Sequence, residues 1–82
     1  MTRGQEISGV DGVDYTVITH KRYYTLLSYE TENGSHFIVA RSVLPMRDGL
    51  YCWSYSRDFG ADLHQAARFL TEQGPAGRRL KT

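Results

Sequence analysis

The chain has 82 residues, of which 40% are hydrophobic and 12% aromatic, and its formal net charge is +1 at pH 7. This length fits one small domain, and the composition excludes a disordered chain. No apolar run approaches the roughly 20 residues needed to span a bilayer, and the single cysteine, Cys52, cannot form an internal disulfide. We therefore expect one folded domain in the cytoplasm.

The chain divides into three parts. Residues 1–12 are rich in Gly and Asp and show no apolar periodicity, which predicts a flexible N-terminal lead-in. Residues 13–74 carry the periodic patterns of a single α+β domain. Residues 75–82 hold three basic residues and no acid, and they predict a basic disordered tail. Residues 1–74 keep seven basic and nine acidic side chains, so the predicted domain is slightly acidic.

Alternating apolar residues and a pair of turn-forming residues predict the first strands and a turn. Apolar alternation predicts a strand over residues 13–20, and a β-rich run predicts a second over residues 22–30. Asn33-Gly34 then lies between two β-rich runs, which predicts a two-residue type I′ turn with positive φ at both positions. That turn pairs Glu32 with Ser35. The register divides the apolar residues between two faces, one with Tyr23, Leu27, Tyr29, Ile38, Ala40 and Leu44, the other with Tyr24, Leu26, Phe37, Val39 and Val43.

The C-terminal half predicts one further strand and one helix. Pro45 ends the third strand, and residues 50–56 predict a fourth strand. Its aromatic residues, Tyr51, Trp53 and Tyr55, occur at every second position and would lie on one side. The helix that follows has an apolar stripe of Phe59, Leu63, Ala66, Ala67 and Leu70, with Asp58 as the predicted N-cap, Asp62 in the first turn, and Arg68 and Glu72 as i,i+4 partners. The predicted fold is an antiparallel β-meander of three to four strands packed on one C-terminal α-helix, a two-layer single α+β domain.

Residues able to carry out catalysis or hold a metal are few. His20, His36 and His64 lie on different predicted elements and, with one cysteine, form no zinc-binding spacing. Cys52 lies within a predicted strand beside large rings, which favours an inert buried thiol. There is no glycine-rich phosphate loop. We therefore expect no enzyme activity, no cofactor and no metal, and a small enzyme is the least favoured hypothesis.

The leading functional hypothesis is a non-enzymatic protein-interaction module. One helix covers one sheet face, so a second apolar face must be exposed, covered by the termini or buried against another chain. We expect it to bind a larger protein or complex, or a second copy as a homodimer. The predicted partner-binding residues are Tyr24, Leu26, Phe37, Val39, Arg41, Tyr51, Trp53 and Tyr55. In size and general character the chain resembles phage and mobile-element accessory proteins, including inhibitors of host defence such as anti-CRISPR proteins. That resemblance implies action by masking a surface.

The alternative hypothesis is a nucleic-acid-binding domain. The runs RYYTLLSYE, SHFIVARSV, LYCWSYS and DLHQAARFL give three strands followed by a helix, a layout similar to plant AP2 domains and to the arm-binding domains of some phage integrases. The resemblance implies that the sheet would enter the major groove. The basic residues available for this role are Lys21, Arg22, Arg41, Arg47 and Arg57. A slightly acidic domain makes nucleic acid the less favoured partner.

Overall fold

A five-stranded antiparallel sheet lies at the centre of the computed structural model, which describes residues 2–73. Its strands, in spatial order, are β1 (Glu6–Ser8), β2 (Asp14–Lys21), β3 (Tyr24–Thr31), β4 (Gly34–Arg41) and β7 (Tyr55–Asp58). A short hairpin of β5 (Leu44–Pro45) and β6 (Tyr51–Cys52) separates β4 from β7, and helix α1 (Leu63–Glu72) follows. The predicted α+β meander with one C-terminal helix is confirmed. Within residues 2–73 no helix is long and apolar enough to cross a membrane.

The β3–β4 hairpin has the predicted faces but a different register. Glu30 pairs with Ser35 and Thr31 with Gly34, so the central turn residues are Glu32 and Asn33. Gly34 has a φ of +107°, whereas Asn33 is not among the residues with positive φ. The predicted type I′ turn is therefore wrong. Within β3 and β4 the two faces are as predicted, because the pairing moves by one residue on each strand and each side chain keeps its face. Val43, which was predicted on the face of Leu26 and Val39, lies beyond the end of β4 and is buried in the cluster on the opposite face.

Helix α1 covers the face of the sheet that carries Leu26 and Val39. These two side chains are buried together with Ala66 and Leu70 of the helix. The predicted stripe is confirmed at Ala66 and Leu70, because both are buried, but it is wrong at Leu63, which is exposed, and Phe59 precedes the helix. The residues packed around this cluster are Ile18, Tyr24, Phe37, Phe59, Ala67 and Phe69.

The N-cap of α1 lies later in the chain than the predicted N-cap. Asp62 is the N-cap, and its carboxylate accepts a hydrogen bond from the backbone N–H of Gln65 at 3.0 Å. The predicted cap, Asp58, instead lies at the end of β7, because strand pairing continues as far as this residue. The predicted Arg68–Glu72 ion pair is present, with Nε and Oε2 3.7 Å apart on the exposed side of α1.

The opposite sheet face is covered by other parts of the same chain. Ile7, Tyr15, Val17, Leu27, Ile38, Ala40 and Val43 form a second buried cluster, against which Val13, Tyr29, Tyr51 and Trp53 pack. Main-chain contacts hold this cover in place, since Val10 N–H donates to the Tyr51 carbonyl at 3.0 Å. The expectation that one apolar face lacks cover within the chain is therefore wrong. The loop between β1 and β2, through Val13, and the stretch around the β5–β6 hairpin, through Val43, Tyr51 and Trp53, supply the cover.

Two predicted segment boundaries also differ from the structure. Residues 6–8 of the expected flexible lead-in form β1, which buries Ile7 against the sheet. The expected strand at 50–56 is two short strands in different sheets, because Tyr51 pairs with Pro45 whereas Tyr55 pairs with Arg41. The predicted tail at 75–82 lies outside the described residues.

Candidate interaction surface

The predicted partner-binding residues fall into three groups. Leu26 and Val39 are fully buried beneath α1, and Tyr24 and Phe37 are half-buried at its sides. Tyr51 and Trp53 are half-buried on the opposite face. Arg41 and Tyr55 are exposed. Burial by the chain itself removes Leu26 and Val39 from any contact face, whereas Arg41 and Tyr55 are the exposed members of the set.

Arg41 and Tyr55 belong to a row that crosses four strands at one end of the sheet. Lys21 of β2 is directly opposite Tyr24 of β3, Tyr24 is opposite Arg41 of β4, and Arg41 is opposite Tyr55 of β7. Directly opposed residues in a sheet point to the same face, here the face that α1 occupies. We call Lys21, Tyr24, Arg41 and Tyr55 the cation–tyrosine row.

Contacts with α1 hold two members of the row in place. The ring of Tyr24 meets Phe69 edge to face, with centroids 6.4 Å apart. The Nζ of Lys21 donates to the backbone carbonyl of Thr71 at 2.8 Å. A cation is favoured at this position, since the last carbonyls of a helix carry partial negative charge. The Arg41 guanidinium lies 6.0 Å from the Tyr24 ring centroid, at the outer limit of a cation–π contact.

A second arginine stands beside the row. Arg57 is opposite Val39, so its side chain points to the same face. Its guanidinium lies 5.0 Å from the ring centroid of Phe59 and 5.4 Å from that of Phe69. These two rings support Arg57 at the mouth of a shallow open groove between β7 and α1, which Gln65, Arg68 and Glu72 complete. Sequence analysis missed Phe69, although its place beside the apolar stripe of the helix was a signal.

The backbone is strained immediately after both cations of the row. Arg22, which follows Lys21, has a φ of +55°, and Ser42, which follows Arg41, has a φ of +59°. This left-handed region is costly for residues other than glycine. The Ser42 N–H donates to the carbonyl of Tyr23, the residue after Arg22, at 2.7 Å. Such strain is often found near functional surfaces.

The charges of the two faces differ. Among residues 2–73 the one ion pair within 4.0 Å is Arg68–Glu72, so Lys21, Arg41 and Arg57 have no carboxylate partner there. Two carboxylates on the opposite face instead accept hydrogen bonds from tyrosine hydroxyls, Asp11 from Tyr15 and Asp58 from Tyr29. On the face with α1, Arg41 is therefore an exposed cation of the row that no carboxylate of residues 2–73 pairs with.

The basic residues of the nucleic-acid hypothesis do not all meet. Lys21, Arg41 and Arg57 point to the α1 side of the sheet. Arg22 lies in the turn between β2 and β3, and Arg47 lies between β5 and β6. Within residues 2–73 no three His, Cys, Asp or Glu side chains come close enough together to hold a metal ion.

Comparison of the chain with protein-family models, with curated proteins and with solved structures finds no match. Function is therefore inferred from the surface described above.

Proposed function

We propose that this protein is a non-enzymatic interaction module that binds an acidic surface of a partner protein through the cation–tyrosine row. The observation that carries the proposal is the adjacency of Arg41 and Tyr55, both exposed, with no carboxylate of residues 2–73 paired to the arginine. Binding without chemistry would act by covering the partner's surface.

The residue types in the row suit protein recognition. An arginine guanidinium can donate two parallel hydrogen bonds to one carboxylate, and a tyrosine adds apolar area with a hydroxyl at its tip. Both residues are enriched among those that dominate binding energy at protein interfaces. Contacts of Tyr24 with Phe69, and of Lys21 with the end of α1, support a row that is ordered before a partner arrives. Such order lowers the entropy lost on binding.

A protein partner is favoured over nucleic acid because the sheet face opposite α1 is covered by the chain itself and carries carboxylates. Because α1 covers one face of this sheet, only the opposite face could enter a DNA groove. Here that face carries a core cluster with Trp53 packed against it, and its carboxylates include Asp11 and Asp58. Negative charge at that face would repel phosphates. The cations of the α1 side are too few to give the basic excess that is usual for nucleic-acid binding.

Affinity capture from the native host with three forms of the protein tests the proposal. Arg41→Glu reverses one charge in the row, and Arg47→Glu is the matched control, because Arg47 is also exposed but lies in the β5–β6 turn. We expect a protein retained by the wild type and by Arg47→Glu, lost by Arg41→Glu, and released by added salt. The same proteins on all three baits would contradict the proposal. Capture that nuclease treatment abolishes would favour the nucleic-acid alternative.

A further inference from the structure

Within residues 2–73, one side of the β7 backbone has no strand partner. Strand β7 is the outermost strand next to β4, and its four residues are all exposed. The Phe59 N–H donates to the Phe37 carbonyl at 2.8 Å. Because main-chain groups alternate in direction along a strand, those of Tyr55 and Arg57 also face β4, and those of Ser56 and Asp58 face outward. The outward groups can pair with another antiparallel strand.

The sequence of residues 54–58, SYSRD, is complementary to itself when it is read in the opposite direction. If Ser56 faces Ser56 of a second copy, Tyr55 lies opposite Arg57 of that copy, and Ser54 lies opposite Asp58. The first pair places a ring beside a guanidinium, and the second places a hydroxyl beside a carboxylate. Symmetry makes each favourable pair occur twice.

Registers shifted towards Asp58 lack this complementarity. Pairing Ser56 with Asp58 of the second copy would bring the two Arg57 side chains directly opposite each other, and like charges there are unfavourable. Pairing Asp58 with Asp58 would oppose two carboxylates. Charged residues commonly protect a sheet edge from pairing. On β7 they exclude the registers that bring Arg57 opposite Arg57 or Asp58 opposite Asp58.

We propose that β7 pairs with β7 of a second copy in antiparallel orientation, with Ser56 at the two-fold axis, to form a homodimer. The two five-stranded sheets then form one continuous sheet, and both α1 helices lie on the same side. The Arg57 side chain is already held on that side by Phe59 and Phe69, so it needs little reordering to meet Tyr55 of the other copy. The dimer presents the cation–tyrosine rows of both copies on one surface, and Tyr55 of each row lies between Arg41 of its own copy and Arg57 of the other copy.

Disulfide cross-linking tests the register directly. In a Cys52→Ala background, Ser56→Cys would place two cysteines opposite each other, with Cα atoms roughly 5.5 Å apart, within disulfide range. The matched control is Ser35→Cys, since Ser35 is equally exposed but is paired within the sheet to Glu30. We expect mild oxidation to convert Ser56→Cys to a covalent dimer much faster than Ser35→Cys. Equal rates for the two variants would overturn the proposal.

Sedimentation equilibrium tests the backbone pairing. Ser56→Pro removes an outward N–H and leaves the β4 side of the strand intact, whereas Ser56→Ala keeps that N–H. We expect the wild type and Ser56→Ala to dimerise, and Ser56→Pro to weaken dimerisation by about tenfold or more. A strictly monomeric wild type would overturn the proposal, and this readout does not require Ser56→Pro to fold. Arg41→Glu should remain dimeric, so a failure of dimerisation and a failure of the proposed partner binding are distinguishable.

Discussion

The hydroxyl of Tyr29 donates a hydrogen bond to the Oδ2 of Asp58, 2.5 Å away, and so joins β3 to β7 across the intervening strand β4. The other carboxylate oxygen of Asp58 accepts the Gly60 N–H at 2.7 Å, at the turn that leads to α1. One side chain therefore connects three parts of the fold. It also holds the end of β7 in the position that the proposed homodimer requires.

We expect Tyr29→Phe to lower the free energy of unfolding by about 1 kcal/mol, because it removes one hydrogen bond and keeps the ring. Urea denaturation followed by the fluorescence of Trp53, the single tryptophan, measures the change. Tyr23→Phe is the control, since the Tyr23 side chain is 65% exposed. Equal stability of the two variants would show that the Asp58 contact contributes nothing.

Stability should decline at high pH because of two tyrosines. The hydrogen bond to Asp58, followed by burial, raises the pKa of Tyr29 above its ordinary value of 10.0. Burial, followed by the hydrogen bond to Asp11, raises the pKa of Tyr15. Both hydroxyls ionise near pH 10 in the unfolded chain but remain protonated in the folded one, so their contribution is complete below about pH 10 and is lost above it.

Denaturation midpoints measured between pH 8 and pH 11, at roughly half-unit intervals around the ordinary tyrosine pKa, follow this decline. In the double variant Tyr15→Phe/Tyr29→Phe the decline should be smaller. An unchanged profile in the double variant would assign the pH dependence to other groups.

Truncating a leucine of α1 to alanine should destabilise the protein strongly at one position and weakly at another. Leu70 is 5% exposed and packs against Leu26 and Val39, whereas Leu63 of the same helix is 43% exposed. We expect Leu70→Ala to cost about 2–5 kcal/mol, since it leaves a cavity, and Leu63→Ala to cost less than about 1 kcal/mol. Chemical denaturation measures both. If Leu63→Ala lowered the free energy of unfolding more than Leu70→Ala, the side of α1 that faces the sheet would not be the one described.

Substitutions at two positions with positive φ should change the free energy of unfolding in opposite directions. Gly34 has a φ of +107°, so Gly34→Ala should lower the free energy of unfolding by about 1 kcal/mol. No atom lies within 4 Å of a Cβ built there, so the cost is conformational rather than steric. Ser42 has a φ of +59°, and Ser42→Gly should raise the free energy by up to about 1 kcal/mol. Thermal unfolding measures both, and a destabilised Ser42→Gly would show that the serine side chain supplies a compensating contact.

Local patterns were enough to predict the types of element and the faces of the central hairpin. Leu27 and Ile38 share one face and Leu26 and Val39 the other, as the alternation indicates, because a strand repeats every two residues whatever its exact partner. The helical spacing of Ala66 and Leu70 predicted the buried side of α1 for the same reason. These features depend on residues close together in the chain.

Tertiary structure decided the rest, because each outcome depends on contacts between residues far apart in the sequence. Tyr51, Trp53 and Tyr55 look like one aromatic row, but pairing with Pro45 and with Arg41 sends Tyr51 and Tyr55 to different sheets. Lys21 and Arg41 become members of one row only because Tyr24 pairs with both. Which face α1 covers depends on packing of the whole sheet, and the periodicity of the helix is compatible with either face.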